Sequence, residues 1–279
     1  MAAIDHAAAN SLEVLTLDVD ELERHPDLIA DIYRRRLMGV VVRGAFASAH
    51  MAEVVANVGR LEGVPRAVAP TFKGGLFGSP LVMASEDLRD YLDGAQRFRD
   101  STRELFAPAG GLEARIEHVM GRIAGGLPVD VARDDAGRGY LPASIRVLVE
   151  GDSLPLHYEN GTTRYASMKQ LLPRLDVATI MSFYVAVALP EEGGVLEVFS
   201  TDCTDGGDRI LHELGGPERA RPILAARGCV EVRPGVGDML VFDAGRYYHL
   251  VSEVRSGTRW TLGGFFAFDR DHTRVLYWS

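Results

Sequence analysis

The sequence predicts an α+β fold in which helices pack on one face of a β sandwich or barrel, and two observations carry that reading. Up to about Asp134, apolar residues recur at helical spacing. Beyond it, short apolar and β-branched runs alternate with turn signals such as Glu191-Glu192-Gly193-Gly194, Asp205-Gly206-Gly207 and Pro234-Gly235-Val236-Gly237. The chain of 279 residues is 47% hydrophobic and 25% charged, enough apolar material for a sizeable core, and it has no unbroken apolar run of about 18 residues. No repeat or low-complexity tract divides it, so we expect one domain over 1–279, with a mainly helical part at 1–134 and a β core at 135–279.

Taken in order, residues 1–12 read as a frayed end. Residues 19–38 suit a helix, with Pro26 early and Arg34, Arg35 and Arg36 late, where they complement the helix dipole. Gly39 to Arg43 is a β-branched run closed by Gly44 and reads as a buried strand. Helical spacing returns at 47–61, 84–107 and 111–126, punctuated by Gly and Pro at 63–80 and 108–111. Strands are expected at 143–150, 154–158, 177–189, 194–199, 229–233, 238–243, 247–252, 258–268 and 273–277. The glycines of 71–79 suit a lid over a site, and lack the Lys-Ser/Thr ending of a phosphate loop. The acids of 202–208 do not follow calcium-loop spacing and read as a solvated connector.

The formal net charge of −9 (30 Lys and Arg against 39 Asp and Glu) argues against a nucleic-acid partner. The N-terminal stretch carries acids where a signal peptide carries Lys or Arg, so the expected location is cytoplasmic, with no membrane partner. Cys203 and Cys229 are the only cysteines, too few for a thiolate metal site, so a metal would rely on His and carboxylate.

The most informative pattern is His157-Tyr158-Glu159 at the end of an expected strand, where alternation turns His157 and Glu159 to one side. Alone it is weak. A second His-x-acid match, His25-Pro26-Asp27, falls at an expected helix start and reads as solvent-facing. What separates His157 from His25 lies downstream: a tight turn and buried strand at 234–242, then His249 on the next strand, then Arg259 and Thr261 ten and twelve residues on. Two His and one carboxylate on adjoining strands make a facial triad that leaves positions open on Fe(II). Arg259 and Thr261, two apart on one strand face, make a pocket for a carboxylate. Singly, each of these residues suits an ordinary surface or core role; their combination points to a metal site.

At these residues the sequence resembles the Fe(II)/2-oxoglutarate-dependent dioxygenases, over roughly 140–270. His157 and Glu159 match that family's His-x-Asp/Glu, His249 its distal His, and Arg259 with Thr261 its Arg-x-Ser/Thr. The Gly193-Gly194 turn and the Gly-Asp-x-Leu-x-Phe run at 237–242 are similar as well. The resemblance implies a double-stranded β-helix, or jelly-roll, core with the helical N-terminal part packed on it. It implies Fe(II) on His157, Glu159 and His249, 2-oxoglutarate with its far carboxylate on Arg259 and Thr261, and O2 as oxidant. Glu159 departs from the Asp of most members, and its longer arm must fold differently to reach a metal. A Gly or Ala there would suggest a halogenase; an acid favours oxygen transfer.

The expected activity is therefore oxidation, most simply hydroxylation, of an unactivated C–H of a small polar metabolite such as an amino acid or natural-product intermediate. The same iron site also serves desaturation, epimerisation or ring formation. A non-catalytic cupin-like ligand-binding protein is the rival from another class, and it has no need of the Arg259-x-Thr261 pair. Candidate substrate contacts are Arg146, Asn160, Arg164, Tyr184 and Arg246, which lie on or beside strands expected to face the cavity. Its arginines suit a substrate carboxylate.

Overall fold

The computed structural model describes residues 12–61, 64, 66–67 and 72–279. Its strands in chain order are β1 (Val14–Asp18), β2 (Gly39–Arg43), β3 (Arg66–Ala67), β4 (Gly75–Phe77), β5 (Val129–Val131), β6 (Ser144–Leu148), β7 (Leu154–His157) and β8 (Met181–Ala188). They continue with β9 (Glu192–Gly193), β10 (Leu196–Asp202), β11 (Cys229–Val232), β12 (Met239–Phe242), β13 (Tyr247–Val251), β14 (Val254–Ser256), β15 (Arg259–Phe268) and β16 (Val275–Trp278). The α-helices are α1 (Leu28–Tyr33), α2 (Ser48–Asn57), α3 (Arg89–Phe106), α4 (Leu112–Gly121), α5 (Gly207–Glu213) and α6 (Pro217–Arg227).

Eight of the strands form a jelly roll. β12, β8, β15 and β6 are adjacent in a ten-stranded major sheet, and β11, β10, β13 and β7 make the minor sheet that faces it. Successive strands step from one sheet to the other, with β10 and β11 as the one hairpin within a sheet. Alternation then decides the three layers. Tyr247 and Val251 of β13 turn inward with Leu148, Leu196, Val198, Leu240 and Phe242. Tyr248 and Leu250, one residue out of phase, turn outward against Ala220 and Leu224 of α6. The outer face of the major sheet is covered by the N-terminal helices through a larger cluster that includes Val54, Phe98, Ile116, Phe183, Val185 and Tyr277.

β15 is flanked by β8 along most of its length, and on its other side by β6 over Arg259–Gly263 and by β16 over Phe265–Phe268. Gly263 and Gly264 permit this crowding: a Cβ at Gly263 would stand 2.4 Å from the Phe183 carbonyl oxygen, and one at Gly264 would stand 2.3 Å from that of Trp278.

Several expectations need correction. The helix expected at 19–38 is a 3-10 turn (Val19–Arg24) and then α1, broken at His25-Pro26 because Pro26 has no N–H to continue the ladder. The mainly helical part gives five strands, β1 to β5, to the major sheet; four are edge or flanking pairings too short to read from alternation, and β1 runs parallel to β2. The β half holds two helices, α5 and α6, that were not anticipated; the connector expected at 202–208 starts on the last residue of β10 and ends inside α5. The 71–79 segment is not a free lid. Thr71 lies outside the described residues, but Gly75–Phe77 pairs with β6, and the Asp152 carboxylate accepts the Lys73 and Gly74 N–H groups at 2.7 and 2.8 Å. The frayed end expected at 1–12 lies, but for Leu12, outside the described residues. Among the described residues no helix is long and apolar enough to cross a membrane.

Candidate metal and carboxylate site

The register of the minor sheet makes the first half of the site. β13 pairs antiparallel with β7 so that His249 stands directly opposite His157. After β7 the chain leaves the sheet in a 3-10 turn that starts at Glu159, and the Glu159 N–H is held by the Ala244 carbonyl at 2.8 Å. This turn gives the longer Glu arm its direction. Glu159 Oε1 lies 3.5 Å from His157 Nε2 and 3.7 Å from His249 Nε2. The three ligand atoms all fall within 4.8 Å of one another. Donors placed about 2.1 Å from one cation at 90–120° stand about 3.0–3.6 Å apart, so these separations suit a single ion.

The hydrogen bonding favours the same conclusion. His157 Nδ1 faces the Pro155 carbonyl at 2.7 Å and His249 Nδ1 faces that of Tyr247 at 3.0 Å. A carbonyl only accepts, so each ring keeps a proton on Nδ1 and turns Nε2 toward Glu159. His249 is buried, and burial, reinforced by the neighbouring His157, pushes its pKa down, so a second proton on that ring is disfavoured. Burial would push the Glu159 carboxyl up, yet the facing His157 and His249 rings outweigh it and hold it well below the usual carboxylate range. The cluster thus presents an ionised carboxylate beside two Nε2 lone pairs, a donor set that suits a divalent cation.

The major sheet makes the second half. Across β6 and β15, Thr261 is opposite Arg146, Arg259 opposite Leu148 and Gly263 opposite Ser144; across β15 and β8, Gly263 is opposite Tyr184 and Phe265 opposite Ser182. Arg146, Arg259, Thr261, Tyr184, Ser144 and Ser182 line one cavity together with His157, Glu159 and His249. Arg259 is buried, and its guanidinium lies over the Tyr184 ring, 5.2 Å from the centroid. Burial pushes the Tyr184 phenol up, with Arg259 opposing, so the ring stays neutral. Burial also pulls the Arg146 guanidinium down; Glu159 opposes this and Arg259 adds to it.

Of the residues expected to touch substrate, Arg146 and Tyr184 are in the cavity and three are elsewhere. Arg246 is buried on Asp243, with Nε to Oδ2 at 2.6 Å, and also donates to the Ile32 carbonyl at 3.0 Å. Its partner sits only three residues away, so the charge is already spent. Arg164 is exposed and paired with Asp208. Asn160 uses its side chain on backbone, donating to the Ala178 carbonyl at 3.1 Å and accepting from the Ile180 N–H at 2.7 Å. Ser144, Ser182 and Phe265 line the cavity and went unremarked in the sequence, although each sits at even spacing from a residue that was singled out (Arg146, Tyr184, Thr261).

Residues 11–279 match the family described as the carrier-protein-independent halogenase WelO5. The chain belongs to that family. As a member of the WelO5 family it is an Fe(II)/2-oxoglutarate-dependent oxygenase by superfamily, and its jelly roll is that superfamily's fold. Among solved structures it is similar to an N-substituted L-amino acid dioxygenase from Burkholderia ambifaria AMMD, in complex with alpha-KG. The identity is 13%, over 92% of this chain and 89% of that one, with a TM-score of 0.53. It is also similar to the non-heme alpha ketoglutarate dependent epimerase SnoN from nogalamycin biosynthesis, at 17% identity over 88% and 82% of the two chains and a TM-score of 0.48. No curated protein matches the chain.

Proposed function

We propose that this member of the WelO5 family transfers oxygen rather than halide, hydroxylating a C–H of a small molecule, with His157, Glu159 and His249 as the metal ligands. The observation that carries the reading is the Glu159 carboxylate, buried between the two imidazoles, where a Gly or Ala would leave room for a halide ion. A halide and this carboxylate would compete for one position and repel each other.

Bound Fe(II) and 2-oxoglutarate supply the oxidising chemistry, consuming O2 and releasing succinate and CO2. The chain's own residues hold and orient. His157 and His249 offer Nε2, each kept in one tautomer by a backbone carbonyl. Glu159 contributes negative charge. Arg259, buried and stacked on Tyr184, meets the far carboxylate of the cosubstrate with help from the Thr261 hydroxyl. The apolar walls of Leu154, Leu196, Phe242 and Val251 keep bulk water from the reacting centre.

The test is aerobic incubation of the iron-loaded protein with 2-oxoglutarate, chloride, 18O-labelled O2 and a panel of small polar metabolites, with succinate and substrate masses read by mass spectrometry. The reading expects a product carrying one labelled oxygen atom. A chlorinated product with Glu159 intact would overturn it, and loss of two hydrogens without oxygen gain would replace hydroxylation with desaturation. No 2-oxoglutarate consumption under any condition would return the chain to a binding role.

A further inference from the structure

Arg246 and Asn160 miss the cavity, yet both end on one turn, and that turn also holds Glu159. Asp243, Ala244, Gly245 and Arg246 join β12 to β13. The Asp243 carboxylate is fully buried and fully engaged: it accepts the Thr179 hydroxyl at 2.6 Å, the Arg246 backbone N–H at 3.2 Å and Arg246 Nε at 2.6 Å. Arg246 in turn donates to the Ile32 carbonyl at 3.0 Å and lies over the Tyr33 ring, 5.8 Å from its centroid. Asn160 arrives from the other side. Its side chain bonds to backbone at Ala178 and Ile180, and it packs so close to the turn that a Cβ at Gly245 would stand 2.3 Å from its Oδ1.

Such a network is a poor device for stability alone. Taking two charges out of water costs about as much as their attraction returns, and a well-packed apolar pair of similar volume serves stability equally well. What a buried ion pair with further hydrogen bonds does supply is direction, because it holds the turn in one geometry. The geometry matters for what hangs from it. The β7–β13 pairing ends at His157, and beyond it the Glu159 N–H is held by the Ala244 carbonyl at 2.8 Å. A Glu has one more rotatable bond than an Asp, so its carboxylate sweeps a wider arc unless its backbone is fixed. The Ala244 carbonyl that fixes it sits between Asp243 and Arg246, inside the locked turn.

We propose that Asp243, Arg246 and Asn160 are positioning residues for Glu159: they lock the 243–246 turn so that the Ala244 carbonyl delivers the longer carboxylate between His157 and His249. The proposal rests on the reading of Glu159 as a metal ligand and adds which residues put it there. It also gives a role to two side chains that sequence spacing assigned to the substrate.

Amide hydrogen exchange and Mn(II) titration of the full chain test it. In metal-free protein, Asn160→Ala and Asp243→Asn are each expected to speed exchange of the Glu159 amide at least about tenfold, with the amides of β13 near parental rates. In the same variants the Kd for Mn(II) should rise about tenfold, and Arg246→Lys should lie between them and the parent. In a Glu159→Ala background the same substitutions should add nothing to the Mn(II) loss, since a residue that acts through Glu159 has no effect once the carboxylate is gone. Val54→Ala, which opens a cavity in the core outside the major sheet, controls for general destabilisation and should leave both readouts unchanged. If Asp243→Asn does not fold, the uncharged Asn160→Ala decides. Unchanged Glu159 exchange, faster exchange with unchanged Mn(II) affinity, or an equal Mn(II) loss with and without Glu159 would each overturn the proposal. If the parent protein binds no Mn(II), the proposed function fails, whereas exchange in the metal-free chain still decides whether these residues hold Glu159.

Discussion

The two walls of the jelly roll divide the chemistry between them. The minor sheet and the turn that follows β7 bring lone pairs: two imidazole nitrogens and a carboxylate, all within 4.8 Å. The major sheet brings protons and positive charge: Arg146, Arg259 and the Thr261 hydroxyl. Each wall alone would be costly to bury, since one gathers groups that want a cation and the other gathers cations that want an anion. In the proposed function a metal on one wall and a dicarboxylate between the two would relieve both. The site is therefore read better as two complementary half-sites than as a list of residues, and the difference also explains its construction. The metal half needs close convergence from two elements, whereas the carboxylate half needs only neighbouring rows of one rigid sheet.

Variants can separate the halves. The largest effect is expected in the metal half: His249→Ala should raise the Kd for Fe(II) or Mn(II) by at least about 100-fold and abolish turnover, while circular dichroism still reports a folded β protein. Near-parental metal binding would break the assignment of that wall. Next, Glu159→Gly should retain metal on two histidines, lose hydroxylation, and form halogenated product once chloride or bromide is added. Unchanged hydroxylation by this variant would mean that the carboxylate is not a ligand. In the other half, Arg259→Gln should weaken 2-oxoglutarate by about 2–5 kcal/mol and leave metal affinity alone, a split that titration of each component reads directly.

The smallest effect concerns the wall itself. Asp152 accepts the N–H groups of Lys73, Gly74 and Val149, which fastens the β4 segment beside Arg146's strand. Burial works against its ionised form, but those three donors prevail and its pKa is lowered. A carboxyl lowered on folding adds stability that is fully present above the ordinary carboxylate range and is lost as pH falls through it. Asp152→Asn should cost about 1–3 kcal/mol at pH 7. In denaturant unfolding, the gap between the parent and the variant should narrow below about pH 4, and a gap that is constant with pH would refute the ionic role.

Much of this was legible in the sequence, for a physical reason. His157 and Glu159, and Arg259 and Thr261, are i, i+2 pairs; on a strand that spacing fixes a shared face, and even where the chain turns at Glu159 it keeps the pair close. Strand faces are likewise why Arg146 and Tyr184 could be anticipated in the cavity. Side-chain partners are not periodic. Nothing in the spacing of Arg246 and His249 reveals that Asp243, at i−3, already holds the guanidinium, or that Arg164 reaches across to Asp208. The helices at 207–227 escaped for a related reason: α5 has only seven residues, with Ile210 and Leu211 as its apolar pair, and α6 buries only Ala220 and Leu224 and carries an internal Pro222, so neither shows a broad apolar stripe. The short strands β3, β4 and β5 exist because neighbours complete them.

The two histidines also differ in how firmly the fold grips them. His249 sits on β13, an interior strand flanked by β10 and β7, and its side chain is 5% exposed. His157 is the last residue of β7, an edge strand of four residues whose register slips between its two pairings with β13, and its side chain is 36% exposed. Edge strands with irregular pairing open at lower free energy than the body of a barrel. Amide hydrogens of Leu154, Leu156 and His157 should thus exchange sooner than those of β13, and the fraying of one short strand is enough to loosen one of the three candidate ligands while the rest of the molecule stays folded.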